Sequence, residues 1–265
     1  MSAASVSVQR LEFAYPSGAR VLHGVDLEIA AGERVAVLGP NGAGKTTLML
    51  HMNGIHLPQR GAVRIGDTEV TRSTVADARR RVGVVFQDPD DQLFLPTVGE
   101  DVAFGPRNHG IRGAELDARV DAALTRVGLE RERDAAPGRL SLGQRRRAAI
   151  ATILSMDVDV IVLDEPTSNL DPAARRDLTR TLAEVDATIV VVTHDLPYAL
   201  ELCPRSVILD GGRIVADGRT SDILADDGLL RAHGLELPWG FDPRLPRPVP
   251  APGAETPLSR PSVGD

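Results

Sequence analysis

Long apolar runs, cysteine and lysine are all scarce in this chain of 265 residues. No apolar run approaches the roughly 20 residues that a membrane-spanning helix needs, and the N-terminus lacks the basic and apolar regions of a signal peptide. The single cysteine, Cys203, excludes an internal disulfide and is typical of a protein in a reducing cytosol. We therefore expect no transmembrane helix, no signal peptide and no disulfide framework.

The charged residues of the chain have an unusual composition. The net charge of -7 does not favour nucleic acid as a ligand, because phosphate backbones attract basic surfaces. Two basic clusters, Arg79–Arg81 and Arg145–Arg147, are interpreted as solvated helix faces or local ion pairs. Of the 30 basic residues, 29 are arginines and Lys45 is the single lysine. Because arginine supplies every other basic side chain, we expect the lysine at position 45 to have a specific role.

Short apolar runs rich in β-branched residues predict a parallel sheet that is buried on both faces. These runs are Val35–Leu38, Val82–Phe86, Val158–Leu163 and Thr188–Thr193. Leu11–Ile29 mixes short alternating runs with turn residues, and Gly61–Val70 predicts a hairpin around Gly66-Asp67. The sequence therefore predicts an α/β core accompanied by an antiparallel β portion.

A helical stretch at about residues 97–155 interrupts this core. Thr97 has the spacing of a capping box, and Ser141 is a candidate N-cap for a helix that runs to about Leu154. The segment 238–265 holds eight of the 19 prolines and predicts an extended or disordered tail. We thus predict one domain over residues 1–236, with this helical subdomain, and a Pro-rich tail over residues 237–265.

The segment GPNGAGKT, residues 39–46, fits the phosphate-loop pattern, between a predicted strand and a predicted helix. The backbone N–H groups of such a loop, and the N-terminus of the helix, bind phosphate oxygens. Lys45 would reach the β- and γ-phosphates as a compact charge, where a planar guanidinium does not fit. Thr46 would place its hydroxyl on Mg²⁺. We predict that ATP and Mg²⁺ are bound by Gly39, Asn41, Gly42, Gly44, Lys45, Thr46 and Thr47.

Polar side chains follow three of the predicted strands. Asp164 and Glu165 end the third apolar run, at the edge of an α/β sheet where ligands bind. Asp164 would hold Mg²⁺ through water, and Glu165 would polarise the attacking water as general base. Gln87 follows the second run and could contact Mg²⁺ or the nucleophilic water. His194 follows the fourth run and could donate to the γ-phosphate.

The segment LSLGQ, residues 140–144, resembles the signature sequence of the ABC transporter ATPases. The other motifs stand in that family's order over about residues 6–233. By this resemblance, Glu165 matches the catalytic glutamate, Gln87 the Q-loop and His194 the switch histidine. Walker A then falls at Gly39–Thr47, Walker B at Val160–Asp164 and the D-loop at Ser168–Asp171. Tyr15 lies where the family keeps an aromatic residue that stacks on adenine, and Asp171 belongs to the expected nucleotide-binding set.

The resemblance implies both a fold and a dimer. The implied fold is a RecA-like P-loop ATPase core with an antiparallel β subdomain and an α-helical insert, as in ABC nucleotide-binding domains. The helix end at Ser141 and Gly143 would face the γ-phosphate of ATP held by a partner subunit, which is a second copy or a paralogue. Leu142 departs from the usual glycine of the signature, but the backbone N–H groups survive that change.

A narrower resemblance concerns residues 87–94, 97–106 and 53–55, which are similar to ATPases of energy-coupling-factor importers, especially the cobalt/nickel type. It implies a peripheral motor at the cytoplasmic face of the cell membrane, coupled to a membrane-embedded T component and a substrate-binding S component. In that group, the stretch after the Q-loop helps to form a groove for helices of the T component. Leu93 and Phe94 would supply apolar anchors there.

Several alternatives remain open from the sequence. The cargo is expected to be cobalt or nickel, with a vitamin as the other choice. A non-transport ABC ATPase usually carries two ATPase domains or long coiled coils, and this chain has one domain and no heptads. A P-loop kinase for small molecules would leave Ser141–Gln144 unexplained.

Overall fold

The computed structural model describes residues 3–245. Its strands are β1 (Val6–Ala14), β2 (Arg20–Ile29), β3 (Arg34–Leu38), β4 (Arg60–Ile65), β5 (Thr68–Glu69), β6 (Val82–Val85), β7 (Val160–Asp164), β8 (Thr188–Val192), β9 (Arg205–Asp210) and β10 (Arg213–Arg219). Its helices are α1 (Lys45–Met52), α2 (Val75–Arg81), α3 (Val98–Asn108), α4 (Gly113–Arg126), α5 (Leu142–Leu154), α6 (Pro172–Ala183), α7 (Leu196–Leu202), α8 (Thr220–Ala225) and α9 (Asp227–Ala232).

The strands form two sheets. The antiparallel sheet has the order β2-β1-β4-β5, and the hairpin predicted around Gly66 joins β4 to β5. The larger sheet has the order β10-β9-β3-β8-β7-β6, and it is parallel from β9 to β6. The predicted α/β core and antiparallel portion are therefore confirmed. Strand ends differ from the predicted runs by one or two residues, which is the usual uncertainty of such boundaries.

The parallel strands are apolar throughout because both of their faces are covered. In β3, Ala36 and Leu38 point to one face and pack in a core with α5 and other helices. Val35 and Val37 point to the other face and pack with residues of the antiparallel sheet and α1. Side chains alternate between the faces of a strand, so a strand between two cores needs an unbroken apolar run.

The helical insert lies between β6 and β7. Both predicted N-caps are present, since Thr97 and Ser141 each form a complete capping box, with Glu100 and Gln144 respectively. None of the helices among residues 3–245 is both long and apolar enough to cross a bilayer. Of the predicted Pro-rich tail, residues 246–265 lie outside the described part of the chain.

His51 is buried on α1 and makes the stability of the fold depend on pH. Its Nδ1 lies 2.7 Å from the carbonyl oxygen of Thr47, and its Nε2 has no hydrogen-bond partner among the described residues. Its ring packs edge-on against Phe13, with the ring centres 4.7 Å apart. Burial lowers the pKa of His51 to about 4. The folded chain therefore keeps this imidazole neutral.

We expect the free energy of unfolding to fall as the pH drops from about 6.5 towards 4. In that window the unfolded chain binds a proton at His51 that the folded chain does not, and linkage makes the loss about 3 kcal/mol. Urea unfolding at a series of pH values measures the slope. His51→Leu should flatten it, and an unchanged slope in that variant would assign the pH dependence to other groups.

Candidate functional site

A cavity of about 600 Å³ lies at the carboxyl ends of β3, β7 and β8. Every residue predicted for the site lines this cavity, except Ser141, Gly143 and Asp171. Parallel strands end at the same edge of a sheet, so residues that are far apart in sequence meet there. The loop after β3, the acid pair after β7 and the histidine after β8 therefore form one concave surface.

The loop from Gly39 to Gly44 has a backbone that favours glycine. Gly39, Gly42 and Gly44 have φ values of 147°, 81° and 102°, which L side chains rarely adopt. A Cβ on Gly39 would also lie 2.0 Å from the carbonyl oxygen of Leu209, so the loop could not pack against β9. Gly44 precedes α1, whose first three residues line the cavity and whose first N–H groups have no partner within the helix. This cradle fits the phosphate groups of a nucleotide.

Lys45 is nearly buried, with 9% of its surface exposed. Its Nζ donates hydrogen bonds to the carbonyl oxygens of Gly39, at 2.8 Å, and Pro40, at 2.9 Å. An ammonium group has three donors, so one remains for a phosphate oxygen. Burial lowers the pKa of Lys45, while the charges of Glu165 and Asp164 act in the opposite direction. The carboxylates and the loop carbonyls together favour the charged ammonium that a phosphate requires.

Thr46 and Asp164 form the part of the site that fits a divalent cation. The Thr46 hydroxyl donates to Oδ2 of Asp164 at 2.8 Å, so two hard oxygen ligands lie side by side. Burial raises the pKa of Asp164, and the Thr46 hydrogen bond opposes that rise. A cation beside a desolvated carboxylate stabilises its ionised form. The donor set therefore suits Mg²⁺, which takes one or two protein oxygens and completes its shell with phosphates and water.

Glu165 is held at the ends of β7 and β8 by a network of hydrogen bonds. Its Oε2 accepts from the Thr193 hydroxyl at 3.0 Å, and its Oε1 accepts from the backbone N–H of His194 at 2.9 Å. The same Oε1 lies 2.6 Å from Nδ1 of His194. A carboxylate can accept about four hydrogen bonds. Glu165 is thus fixed in orientation and still has room to accept a proton from a water molecule.

His194 reaches out of the site, since 68% of its side chain is exposed. An ionised carboxylate only accepts hydrogen bonds, so Nδ1 of His194 carries the proton in the contact with Glu165. Its Nε2 then accepts from a water molecule when the ring is neutral, and donates to a phosphate oxygen only when the ring is protonated. Gln87 lines the same cavity. The site thus presents an oriented carboxylate together with an imidazole and an amide side chain.

Tyr15 stands at the entrance to the phosphate loop. Its hydroxyl lies 3.0 Å from Oγ1 of Thr47, and its ring packs edge-on against Phe13 with the centres 5.1 Å apart. These two contacts hold an aromatic ring at the side of the cavity. An aromatic face in this position is suited to stack on a nucleotide base.

Ser141, Gly143 and Asp171 do not join the other predicted residues within one chain. Ser141 and Gly143 lie at the exposed N-terminus of α5, where the Ser141 hydroxyl accepts from the N–H of Gln144 at 3.2 Å. Asp171 caps α6 by accepting from Ala173 at 2.8 Å and from Ala174 at 2.9 Å. None of these three residues lines the cavity that contains the phosphate loop.

The sequence reasoning missed Val21, Gly234 and Leu235, which also line the cavity, as does Pro40 of the predicted phosphate loop. Gly234 and Leu235 follow α9 and approach Pro40 only through the tertiary fold, so no local pattern identifies them. The interpretation of Arg145–Arg147 as a solvated helix face or local ion pairs was wrong for Arg146. This residue is 3% exposed, because it points from α5 towards the backbone near Glu165 and Gln87.

Comparisons with known proteins find similar chains. A profile of the ABC transporter family matches residues 22–168. A putative ABC transporter ATP-binding protein of Streptomyces coelicolor is 60% identical over 244 residues, which cover 92% of this chain and 94% of the relative. The energy-coupling factor transporter ATP-binding protein EcfA of Carboxydothermus hydrogenoformans is 44% identical over 237 residues, covering 88% of this chain and 87% of that protein. The structure of CbiO1 from Clostridium perfringens, part of the transporter complex CbiONQ, has a TM-score of 0.75 at 36% identity and covers 86% of this chain and 93% of its own.

We expect Lys45→Ala to weaken ATP binding by roughly 100-fold, because a hydrogen bond to a charged group contributes up to about 3 kcal/mol. Lys45→Arg should weaken it as well, since the planar guanidinium does not fit between the carbonyls of Gly39 and Pro40. Isothermal titration with ATP measures both. Arg60→Ala, which removes an exposed cation, serves as the control for charge. Unchanged affinity in Lys45→Ala would refute the phosphate-loop assignment.

Proposed function

This chain belongs to the ABC transporter family, of which it is an ATP-binding and ATP-hydrolysing subunit of the energy-coupling type, and we propose that it drives an importer of cobalt or nickel ions. In this proposal two ATPase subunits close around two ATP molecules and reopen after hydrolysis. The movement is passed to a membrane-embedded T component, which works with a substrate-binding S component. The chain would then act as a peripheral protein at the cytoplasmic face of the cell membrane.

The observation that carries the transport proposal is an exposed aromatic pair. Phe94 is 62% exposed and Phe104 is 43% exposed, and their rings pack edge-on with the centres 5.1 Å apart. Large apolar side chains that stand together on a polar surface mark an interaction site. Phe94 belongs to the segment that follows Gln87, which lines the nucleotide cavity. A helix of a membrane partner seated on this pair would contact a segment that adjoins the bound ATP.

The proposed chemistry uses the chain's own residues in defined roles. Lys45 and the N–H groups of the phosphate loop bind and orient the β- and γ-phosphates. Thr46, Asp164 and Gln87 would hold Mg²⁺, which would neutralise phosphate charge during transfer. Glu165 accepts a proton from the attacking water, and Thr193 keeps that carboxylate in position.

The exposed start of α5 supports the dimer in this proposal. The N–H groups after Ser141 form an anion-binding helix end, and neither Ser141 nor Gly143 lines the nucleotide cavity of its own chain. A second subunit facing the cavity would bring that end to the γ-phosphate. The chain carries every residue that one complete site needs, so a homodimer is feasible, and a paralogue is the alternative partner.

The identity of the transported substrate is the most specific part of the proposal. The similarity of residues 87–106 to cobalt/nickel importer ATPases supports a transition-metal ion. The likeness to EcfA supports the energy-coupling type of importer in general, which leaves a vitamin as the alternative cargo. The ion would be bound by the membrane partners, and it is substrate rather than cofactor.

We expect Glu165→Gln to slow hydrolysis by about 10²- to 10⁴-fold and to accumulate an ATP-bound dimer, because closure no longer ends in hydrolysis. Light scattering coupled to size exclusion, with saturating ATP, measures the mass. Adding Ser141→Arg should return the variant to a monomer that still binds ATP, since the bulk lies at the exposed helix end. A monomer in Glu165→Gln alone would argue against the two-subunit site.

The transport proposal is tested by capture from native membranes. We expect tagged Glu165→Gln protein, solubilised with ATP present, to co-purify integral membrane proteins in fixed stoichiometry. The control variant adds Phe94→Ser and Phe104→Ser, which should lose the membrane proteins and keep ATP binding, since both rings are exposed. Uptake of radioactive cobalt or nickel by cells that express the complex then tests the cargo. Capture of ribosomal or other soluble partners instead would overturn the transport proposal.

A further inference from the structure

Arg146 is a buried cation whose terminal nitrogen atoms both bind the main chain. Its Nη1 donates to the carbonyl oxygen of Glu165, and its Nη2 donates to the carbonyl oxygen of Gln87 at 2.7 Å. Its Nε is buried and has no hydrogen-bond partner among the described residues. Arginine is almost never fully buried unless its charge is used. The fork of the guanidinium thus bridges two segments that border the nucleotide cavity.

The electrostatic surroundings explain why a cation is retained there. Burial lowers the pKa of Arg146, and the charges of Glu165, Asp88 and Asp164 act against that change. An arginine remains charged at every ordinary pH. The guanidinium therefore places a permanent positive charge behind the acid pair, and its planar fork reaches two carbonyl groups at once. A lysine at this position has one nitrogen and cannot span both with the same geometry.

The contact with Glu165 falls on a residue with an unusual backbone. Glu165 has a φ of 47°, in the left-handed region that non-glycine residues occupy at a cost in free energy. Such a conformation persists where the surroundings hold it. The N–H of Glu165 donates to the carbonyl oxygen of Val192 at 2.8 Å, and Arg146 binds its carbonyl oxygen. The main chain at Glu165 is thereby held on both sides, which directs the carboxylate towards Thr193 and His194.

The contact with Gln87 falls on a segment that is attached to α5 at further points. Gln92 donates from Nε2 to the carbonyl oxygen of Ala149 at 2.9 Å and to Oγ1 of Thr152 at 2.7 Å. Asp90 pairs with Arg145 at 3.1 Å. The loop after β6 is therefore anchored along α5, and Arg146 connects this assembly of loop and helix to the end of β7.

We propose that Arg146 is a positioning residue for hydrolysis, which fixes the main chain at Glu165 relative to the loop at Gln87 and so aims the carboxylate. The proposal rests on the role of Glu165 as general base. Because Arg146 joins these segments, a displacement of the loop after β6 or of α5 would change the orientation of the Glu165 carboxylate. Arg146 touches no reacting atom in this arrangement.

The first test is Arg146→Lys in the full-length chain. We expect kcat to fall by about 100-fold, the effect of displacing a catalytic group by about 1 Å, while KM for ATP stays unchanged. Arg81→Lys is the matched control. Arg81 also binds a carbonyl, that of Ile65 at 2.9 Å, and pairs with Asp159 at 2.6 Å, but it lies at the amino end of β7. The control should lower the thermal midpoint and leave kcat unchanged.

The second test is chemical rescue. Millimolar guanidinium chloride, far below denaturing concentrations, should restore kcat of Arg146→Ala in a saturable manner, because the free cation can occupy the site between the two carbonyls. It should not alter Arg81→Ala or the parent chain. A merely structural role predicts no such recovery, since the lost packing of the side chain stem is not replaced.

The outcomes separate this proposal from the assignment of Glu165. If Glu165→Gln abolishes hydrolysis while Arg146→Lys keeps full kcat, the positioning role is wrong and the general base stands. If Glu165→Gln hydrolyses ATP at the parent rate, the general-base assignment itself fails. A rise in KM that equals the fall in kcat, or a lack of guanidinium rescue in folded Arg146→Ala, would also overturn the positioning role.

Discussion

The shared direction of the strands in the larger sheet is the constraint on which the site depends. Because β3, β7 and β8 run parallel, their carboxyl ends meet at one edge, and the residues that follow them become neighbours. The register places Val35 beside Val190 and Val190 beside Val162, so the three ends lie level. The phosphate loop, the acid pair and the histidine are then assembled by the sheet and not by any direct contact between their sequence segments.

Burial makes the charged forms of two site residues unfavourable when no ligand is bound. Burial lowers the pKa of Lys45 and raises the pKa of Asp164, so in both cases it opposes the charged form. A phosphate beside Lys45 and a cation beside Asp164 reverse these effects. Burying the two groups costs free energy during folding, and a magnesium nucleotide bound at the site would offset that cost. This arrangement would couple affinity for the phosphate to affinity for the cation.

Much of the fold and site could be predicted from the sequence because the signals are local. The phosphate loop combines glycines that need positive φ with a lysine and a threonine, and β3 and α1 enclose it as the pattern requires. The capping boxes at Thr97 and Ser141 gave two helix starts correctly. Each of these features is completed within a few residues of chain.

The features that could not be predicted from the sequence depend on contacts between segments that are distant along the chain. Arg146 stands among three consecutive arginines that look alike in the sequence, and only the packing of α5 against the ends of β6 and β7 makes it differ from Arg145. Gly234 and Leu235 reach the cavity because α9 turns the chain back towards Pro40, and no periodicity encodes that return. The partners of this guanidinium are main-chain carbonyl groups. Every residue has a carbonyl group, so the residue types at the partner positions do not predict the contact.

The rarity of lysine gives this molecule an unusual covalent chemistry. Apart from the amino terminus, the ammonium of Lys45 is the one primary amine that the sequence provides, and the carbonyls of Gly39 and Pro40 hold it within a nearly closed loop. Reagents that attack amines, and enzymes that acylate them, therefore find almost nothing to modify on the surface. Acylation of a side-chain amine in this protein can fall only on Lys45 of the phosphate loop, so a phosphate bound there would compete with the reagent for the same nitrogen.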